Sequence, residues 1–589
     1  MSQDQAFAFA ILLGALALFA WGRLRYDVVA ALALGAAVAL GLVPGADAFA
    51  GFGHPAVITV ALVLMISHGL KQSGLVERMA GMLAPLTGPL LLHIAALTAV
   101  VAVASAFMNN VGALALMLPV ALATAAERKR SPALLLMPLA FGSILGGMTT
   151  MIGTPPNVII ATFRADYAGA PFAMFDFSPV GVAVAAVGVV FVALVGWRMI
   201  PAERRAQNPP QQLFAIDDYL TEIEVGKSSP LVDERLEETK AFDDAAVDVI
   251  GLIRHGSDRP ISVPRQPLKA GDVLLVRGDP EALEPLMAKL DLKLAQKPSA
   301  HLKGDELTLA EGVVSPGAAL EGRGLRYLRR RTGGALAVVA LARQGRPPRG
   351  RLTGQTFRAG DVLLLHGQGD ALDDWFATLG LLPLAARGLS LGQKRRMGLA
   401  LGVFAAAILT MTLGLAPAPV ALAFAAIAYV LLDVLPLRDL YREIDWPVVV
   451  LLGAMIPVGG ALQETGAAAL AADAVARLSA GAGPLLVLAF VLVLAMFLSD
   501  VINNVATALV MAPIAIGIAD RLDANPDSFL MAVAVGSSCA FLTPIGHQSN
   551  TLVMGPGGYR FGDYWRMGLP LEAAIVAVAV PMIAFVWPL

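Results

Sequence analysis

Two short polar phrases lie inside apolar stretches of this 589-residue chain. The sequence reads SAFMNNVGALALMLP from Ser105 and SDVINNVATALVMAP from Ser499, so each phrase contains a serine and two adjacent asparagines. Serine and asparagine oxygens suit a small, hard cation, whereas N–H groups freed where a helix is interrupted suit an anion. The repeated phrase therefore predicts one kind of polar site that is built twice.

Proline-containing segments follow both asparagine pairs. Gly153–Asn157 reads GTPPN, and Thr543–Asn550 reads TPIGHQSN. Proline cannot continue a helix, and unwound backbone is tolerated in a membrane only where it is buried in protein or lines a cavity. Neighbouring residues on a helix diverge by about 100°, so paired asparagines cannot share one helix face. We therefore expect breaks at Asn109–Asn110, at Asn503–Asn504 and at both proline segments.

The composition of the chain is that of a polytopic α-helical membrane protein. Hydrophobic residues make up 57%, charged residues only 15%, and the mean hydropathy is +0.70. A soluble protein carries about 25% charged residues. The net charge of −2 provides no basic field for nucleic acid, and the single cysteine, Cys539, excludes a disulfide framework. The sequence contains no nucleophile–base pattern and no paired histidine motif. We therefore expect neither an enzyme nor a metal centre other than a sodium site.

A charged segment separates two apolar halves. The sequence predicts a first membrane half at 1–206, small domains at 209–297 and 303–385, and a second membrane half at 393–589. Basic phrases flank the charged insert, RMIPAERRAQ at 198–207 and GQKRRMG at 392–398. Because positive charge beside membrane segments marks the cytoplasmic side, we expect a multi-pass protein of the inner (plasma) membrane with a cytosolic insert.

The insert is itself duplicated. LKAGDVLLVRGDPEAL (Leu268–Leu283) matches FRAGDVLLLHGQGDAL (Phe357–Leu372), and EVGKSSPL from Glu224 resembles EGVVSPGA from Glu311. Short β-rich runs with Gly and Asp turns, each closed by a short helix, predict two small α/β domains. These copies resemble the TrkA-C (RCK C-terminal) module of potassium-transport regulators. That resemblance implies a nucleotide ligand, although no G-x-G-x-x-G phrase follows any predicted strand.

The two membrane halves also repeat each other. HPAVITVALVLMISHGLKQSG from His54 parallels WPVVVLLGAMIPVGGALQETG from Trp446, and the asparagine and proline phrases follow in the same order. By this comparison GTPPNVI, from Gly153, corresponds to LTPIGHQSN, from Leu542. Internal repeats with interrupted helices are typical of secondary transporters, whose substrate site lies at the repeat interface.

These motifs resemble the divalent anion:sodium symporter family of the ion transporter superfamily. The resemblance implies two inverted repeats with re-entrant hairpins and broken helices, a homodimer, and an elevator-type mechanism. It implies sodium ligands at Ser105, Asn109, Asn110, Gly153, Ser499, Asn503, Asn504 and Thr543. It implies anion contacts at Asn109, Asn110, Thr154, Asn503, Asn504 and Thr543.

The chain departs from that family at the third position of each triplet. Val111 and Val505 stand there without a hydroxyl group, which favours a compact oxyanion over a long dicarboxylate. Asp500 is the only acidic residue beside an asparagine pair, so it is a candidate for tuning the second cation site or for proton coupling. His547 could also reach the site.

Transport energetics complete the prediction. A dianion that enters a negative-inside cell climbs about 4.6 kcal/mol per 100 mV, twice the value for one charge, so uptake needs at least two cations. We expect sodium-coupled uptake of a divalent oxyanion, sulfate first, regulated by the insert. One alternative is a sodium- or proton-coupled di- or tricarboxylate transporter. Another is a nucleotide-gated channel or a transport-coupled sensor.

Overall fold

A computed structural model describes all residues of the chain except 22–23, 74–85, 206–219, 235–247, 254–259, 262–266, 278–279, 295–306, 334, 345–347, 349–353, 385–393, 438–440, 442–443 and 479–482. The chain forms two compact units. The first comprises Met1–Ala206, Ala386–Val553 and Arg560–Leu589, and the second comprises Gln207–Ala385 and Met554–Tyr559. The boundaries that the sequence suggests at 209, 297, 303, 385 and 393 lie outside the described residues.

The first half of the membrane unit contains only helices as regular elements within the described residues. Its helices are α1 (Gln3–Trp21), α2 (Tyr26–Ala39), α3 (Pro55–Gln72), α4 (Leu90–Ser105), α5 (Asn110–Glu127), α6 (Ala133–Gly147), α7 (Pro155–Ala168), α8 (Ser178–Met199) and α9 (Ala202–Arg205). A π turn at Val192–Gly196 lies within α8, and a 3₁₀ turn at Ala50–Gly53 precedes α3.

The insert contains two antiparallel sheets. The first copy consists of β1 (Leu220–Val225), β2 (Asp248–Ile253), β3 (Pro260–Ile261), β4 (Val273–Arg277), α10 (Pro280–Leu290) and β5 (Leu292–Leu294). The second consists of β6 (Leu307–Val314), α11 (Leu325–Thr332), β7 (Leu336–Ala342), β8 (Val362–Gln368), α12 (Gly369–Leu379) and β9 (Leu381–Pro383). The strand orders are β3-β2-β4-β1-β5 and β7-β8-β6-β9.

The two sheets share their order and their irregularities. Strands β2-β4-β1-β5 correspond to β7-β8-β6-β9, and the register shifts between Val249 and Gly251 in one copy and between Val338 and Ala340 in the other. The predicted strand followed by a short helix is therefore confirmed in both copies. Each copy also buries its own apolar core, which includes Leu274 in the first and Phe357 in the second, among other residues.

The repeated AGD phrase is a tight turn that requires glycine. Gly271 and Gly360 have φ angles of +87° and +81°, in the left-handed region that side chains disfavour. The next residue closes each turn, because Asp272 Oδ2 accepts from Lys269 N at 2.9 Å and Asp361 Oδ2 accepts from Arg358 N at 2.8 Å. The turn chemistry explains why this phrase is the clearest part of the repeat.

The second half of the membrane unit again contains only helices as regular elements in the part that the structure describes. They are α13 (Lys394–Thr412), α14 (Ala418–Leu431), α15 (Trp446–Glu464), α16 (Ala467–Leu478), α17 (Pro484–Val501), α18 (Asn504–Arg521), α19 (Pro526–Ser538), α20 (Gln548–Met554) and α21 (Tyr564–Val586). A 3₁₀ turn at Phe561–Asp563 leads into α21.

Seven of the described helices are long and apolar enough to cross a membrane. They are Gln3–Trp21, Asn110–Glu127, Ser178–Met199, Trp446–Glu464, Pro484–Val501, Asn504–Arg521 and Phe561–Val586. Six shorter apolar helices accompany them. A helix satisfies its backbone hydrogen bonds internally, which hydrocarbon requires of any spanning segment. The chain is therefore a multi-pass membrane protein.

Candidate functional site: two helix breaks lined by asparagine

Both asparagine pairs lie where one helix ends and the next begins. Helix α4 ends at Ser105 and α5 begins at Asn110, while α17 ends at Val501 and α18 begins at Asn504. The first asparagine of each pair caps the following helix. Asn109 Oδ1 accepts from Val111 N at 3.0 Å, and Asn503 Oδ1 accepts from Ala506 N at 2.7 Å. The breaks predicted at these positions are confirmed.

The proline segments form the second break of each half. The chain leaves helical geometry between α6 and α7 and again between α19 and α20. In the first half, Thr150 Oγ1 donates to Ala106 O, and Asn157 Nδ2 donates to Thr150 O at 2.8 Å. In the second half, Thr543 Oγ1 donates to Asp500 O at 2.7 Å, and Asn550 Nδ2 donates to Thr543 O at 3.1 Å. Each unwound segment is therefore hydrogen-bonded to the neighbouring break that carries an asparagine pair. We call that break the tip of its half.

These bonds correct the register of the repeat. Thr150, rather than Thr154, makes the bonds that Thr543 makes, so Thr154 corresponds to His547. The sequence comparison aligned the Thr-Pro dipeptides, but the prolines lie at different places. Pro155 is the first residue of α7, whereas Pro544 lies in the unwound segment before α20. Aligning the two Thr-Pro dipeptides therefore displaces the first-half segment by about one helical turn relative to the second-half segment.

Oxygen atoms converge at the first break. Ser105 Oγ donates to Ser143 O at 2.6 Å. One end of the Asn110 amide lies 2.7 Å from Ser105 Oγ, 3.2 Å from Ser143 O and 3.1 Å from Gly153 O. We call these four residues the first cage; Asn110 is 3% exposed within it. Three neutral oxygens lie around this end of the amide, and the Asn110 oxygen turned toward them would complete a set of four that suits a small hard cation.

Glycine makes the first cage possible. A Cβ atom at Gly147 would lie 2.1 Å from Asn110 Oδ1, and one at Gly153 would lie 2.4 Å from Gly147 O. Gly181 on α8 has the same role against the unwound backbone, since its Cβ would lie 2.4 Å from Met148 O. The close backbone approaches at this break therefore leave no room for a side chain.

The equivalent residues of the second half form what we call the second cage: Ser499, Asn504, Ser537 and Gly546. Ser499 Oγ donates to Ser537 O at 2.5 Å, as Ser105 does to Ser143. A Cβ atom at Gly546 would lie 2.7 Å from Ser499 O. Asn504 differs from Asn110, because its Oδ1 lies 2.9 Å from its neighbour Val505 N and the residue is only half-buried.

Two carboxyl groups support the second break. Asp500 Oδ1 accepts from Leu542 N at 2.9 Å, and Glu572 on α21 accepts from Phe541 N at 3.3 Å. Both carboxyl groups are buried, and Asp500 Oδ2 has no hydrogen-bond partner among the described residues. Asp500 corresponds in sequence to Ala106, so the first break lacks this acid pair. The sequence analysis missed Glu572, although an acid within the apolar run GLPLEAAIV was a usable signal.

His547 crosses from the second half to the first. Its Nε2 lies 3.1 Å from the Asn110 amide, while its Nδ1 accepts from Ser549 N at 3.1 Å. A second cross-half contact joins Ser143 Oγ and Ser549 Oγ at 3.1 Å. The two breaks therefore lie against each other, and the structure brings His547 to the first cage rather than to the second.

The remaining predicted anion contacts have different surroundings. Thr154 is buried, and its Oγ1 has no hydrogen-bond partner among the described residues. The Thr543 hydroxyl is already engaged, since it donates to Asp500 O and accepts from Gly546 N at 3.1 Å.

Within the described part of the chain, no group of three His, Cys, Asp or Glu residues could hold a metal ion.

Interrupted helices that place polar groups deep in a multi-pass protein are a feature of membrane transporters. The chain belongs to the citrate transporter family (CitMHS), which it matches over residues 16–522 and 476–589. The family is one of transporters and not of enzymes, and it lies in the superfamily of the divalent anion:sodium symporters. The family resemblance noted from the motifs is thereby confirmed.

Similar proteins span the chain. An uncharacterized transporter of Synechocystis, sll0640, is 31% identical over 590 residues, covering 98% of this chain and 95% of the relative. The uncharacterized transporter YfbS of Escherichia coli is 29% identical over 630 residues, covering both chains completely. Sodium/sulfate cotransporter 1 of Chlamydomonas reinhardtii is 29% identical over 350 residues, covering 55% of this chain and 39% of the relative.

Proposed function

We propose that this chain is a secondary active transporter that carries a divalent oxyanion into the cell together with sodium. Sulfate is the first candidate for that anion. The observation that carries the proposal is the first cage, in which oxygens of Ser105, Ser143 and Gly153 lie within 3.2 Å of one end of the Asn110 amide. The second cage repeats the serine–carbonyl bond at Ser499 and Ser537. The similarity to a sodium/sulfate cotransporter of Chlamydomonas supports the same substrate pair.

The capping asparagines supply donors of the kind that an oxyanion needs. Asn109 and Asn503 use their amide oxygens as helix caps, which leaves each NH₂ group to donate elsewhere. An oxyanion without protons accepts hydrogen bonds only, so donor groups at both tips suit it. In this proposal Asn109, Asn503 and Thr154 donate to the anion, and Asn110, Asn504 and Thr543 position it. Val111 and Val505 add no hydroxyl, which favours a compact anion.

Two cation sites set the minimum stoichiometry. Two sodium ions neutralise a dianion, so the sodium gradient drives uptake without opposition from the membrane potential, whereas a third would also gain from that potential. In this proposal each cage holds one sodium as cargo. Ser105, Asn110, Ser143 and Gly153 form the first site, and the second-cage residues with the backbone near Thr543 form the second.

The wider architecture is part of the same proposal. The halves 1–206 and 393–589 are inverted repeats with re-entrant hairpins, and a homodimer holds a scaffold against which the hairpins move as an elevator. The insert consists of two cytosolic TrkA-C-like domains at 209–297 and 303–385 that regulate transport. What supports duplication is the shared strand order of the two sheets and the matching hydrogen bonds at the two breaks.

A second candidate function is transport of a di- or tricarboxylate with sodium or protons. The family match to citrate transporters favours it. A carboxylate also presents oxygens that accept the same NH₂ and hydroxyl donors. The two candidates differ in the size of the anion that must fit between the tips.

Uptake into proteoliposomes tests the proposal. Purified full-length protein is assayed with radiolabelled sulfate under an inward sodium gradient, and in parallel with choline in place of sodium. We expect sodium to raise the uptake rate at least tenfold, and unlabelled sulfate to compete better than succinate or citrate. Equal rates with and without sodium refute sodium coupling. Stronger competition by citrate or succinate transfers the assignment to the carboxylate function.

Regulation by the insert has a separate test. Full-length protein is heated with adenine nucleotides or cyclic dinucleotides, and the unfolding midpoint is measured. Stabilisation by one nucleotide, together with a changed sulfate uptake rate, supports regulation through the insert. A nucleotide-gated channel instead predicts sulfate flux that follows the nucleotide and ignores the sodium gradient.

A further inference from the structure

The hydrogen bonds of His547 fix which of its ring nitrogens carries the proton. His547 is buried at 6% exposure, and its Nδ1 accepts from Ser549 N at 3.1 Å. A backbone N–H can only donate, so Nδ1 holds a lone pair. A neutral imidazole has one N–H group, which must then be Nε2–H. His547 therefore presents a donor to the Asn110 amide, 3.1 Å away.

This donor decides the orientation of the Asn110 amide. The amide oxygen must face Nε2–H, so the NH₂ group faces the first cage. There it lies 2.7 Å from Ser105 Oγ, 3.2 Å from Ser143 O and 3.1 Å from Gly153 O, all of which can accept. The opposite orientation places the amide oxygen against two carbonyl oxygens and the NH₂ group against Nε2–H. Both contacts of that orientation are repulsive when the cage holds no cation.

A cation in the first cage reverses the preference. It needs the Asn110 oxygen beside those of Ser105, Ser143 and Gly153, whereas the NH₂ group repels it. Turning the amide sends the NH₂ group toward His547 Nε2–H, where neither group can accept. The hydrogen bond from His547 and a cation on Asn110 therefore exclude each other. This exclusion follows from the donor and acceptor inventory alone.

We propose that His547 is a positioning residue that latches the first cage shut, by holding the Asn110 amide with its NH₂ group toward the cation ligands. Cation binding turns the amide and releases His547, so the second half of the protein senses occupancy of the first-half site. The inference rests on the proposed sodium function. It goes beyond it by naming the group that links the two halves.

The corresponding position in the other half cannot form such a latch. Thr154 occupies that position. A hydroxyl can either donate or accept, so it can hydrogen-bond to an amide in either orientation. Its Oγ1 has no partner among the described residues. A one-way latch is therefore expected at one cation site and not at the other.

Sodium binding to the purified full-length protein, without any anion, tests the latch. The sodium concentration that gives half-maximal thermal stabilisation is measured against choline at constant ionic strength. The substitutions His547→Leu and His547→Gln each remove the one-way donor, since leucine has no polar group and a glutamine amide can donate or accept. We expect that concentration to fall about fivefold in both, the value of one hydrogen bond of ordinary net strength.

A matched control separates the latch from a structural role. His93 is also buried, and its Nε2 lies 3.0 Å from Thr124 Oγ1. It stands twelve residues before Ser105 on α4, about 18 Å away along the helix. His93→Gln is expected to change the unfolding temperature but not the sodium concentration for half-maximal stabilisation. A structural role for His547 predicts the same result for His547→Gln, which would overturn the latch.

A variant on the other side of the bond keeps the test decisive if the His547 variants do not fold. Asn110→Asp has no NH₂ group, so one oxygen can accept from His547 while the other faces the cage. We expect tighter sodium binding, to which the added carboxylate charge and the loss of the latch both contribute, and weaker or unchanged binding overturns the latch. Wild-type protein that sodium stabilises no more than choline refutes the sodium function itself. Sodium stabilisation with equal half-saturation in wild type and His547 variants refutes the latch alone.

Discussion

The two helix breaks have the same backbone framework but different side chains. In each, a serine donates to a carbonyl 38 residues further on. An asparagine near the start of the following helix also donates to a threonine carbonyl of the unwound segment. The first break has neutral ligands and a buried Asn110 that contacts His547. The second break has a half-buried Asn504 and the acid pair Asp500 and Glu572.

This difference indicates that the two breaks share their geometry and differ in their charge. Backbone bonds and glycines fix where the oxygens lie, and both breaks have them. Charge determines how strongly a cation is held, and only the second break carries a carboxyl pair. We therefore expect the second cage to bind sodium more tightly and the first to bind later, once its latch opens.

The largest predicted effect comes from the glycines that the two breaks share. Gly153→Ala and Gly546→Ala place a Cβ 2.4 Å from Gly147 O and 2.7 Å from Ser499 O, so the backbone must shift. A displacement of this order at a binding site can reduce a rate about a hundredfold. We expect that loss of sodium-driven uptake in both variants. The measurement is the initial uptake rate in proteoliposomes at equal protein density.

Gly112→Ala is the matched control for this experiment. Gly112 lies on α5 near the first tip, and nothing stands within 4 Å of an added Cβ. Its uptake rate should stay close to that of wild type. If only one of Gly153→Ala and Gly546→Ala loses transport, the two breaks do not share one geometric requirement, and the comparison fails.

The charge difference predicts the next largest effect. Asp500→Asn keeps an oxygen to accept from Leu542 N but removes a buried negative charge beside Ser499. We expect the sodium concentration for half-maximal uptake to rise about tenfold, because a nearby charge in a protein interior attracts a cation strongly. Asp520→Asn, at the exposed end of α18, is the control and should have no such effect. An unchanged sodium dependence in Asp500→Asn would mean that the acid pair only holds the backbone.

The helix breaks were predictable because their signals are local. Adjacent asparagines act as caps and proline excludes helix, so the sequence alone placed breaks at Asn109–Asn110 and Asn503–Asn504. The insert strands were predictable for a similar reason, since the AGD turn requires a left-handed glycine and an aspartate that accepts from the backbone.

The partners from distant segments were not predictable. Ser143 and Ser537 contribute backbone carbonyls, which every residue has, so their types carried no signal. Glu572 reaches the second break only because Gly568, one turn earlier, lets α21 approach Phe541 closely. The register of Thr154 was misassigned because dipeptide letters were matched, while tertiary hydrogen bonds decide the correspondence.

The serines that begin the two cages should differ moderately. Ser105 contacts both Asn110 and Ser143 O, whereas Ser499 donates to Ser537 O. Ser105→Ala removes a cation ligand, which outweighs the loss of one acceptor for the latched Asn110 amide, and we expect the sodium half-saturation to rise about fivefold. Ser499→Ala should have a smaller effect, since Asp500 remains. Sodium titration of uptake in both variants measures this, and a larger effect at Ser499 would reverse the assigned roles.

The smallest effect is expected at Thr154, and its contrast with Thr543 tests the corrected register. Thr154→Val removes a hydroxyl that has no partner among the described residues, so the unfolding midpoint should barely change. If that hydroxyl donates to the anion, sulfate half-saturation rises about threefold, the lower range for one hydrogen bond.

Thr543→Val instead breaks bonds to Asp500 O and from Gly546 N, and should destabilise the protein by about 1–3 kcal/mol. Thr150→Val should behave like Thr543→Val, because both hydroxyls tie an unwound segment to its tip; equal behaviour of Thr154 and Thr543 would restore the register that the dipeptides suggested.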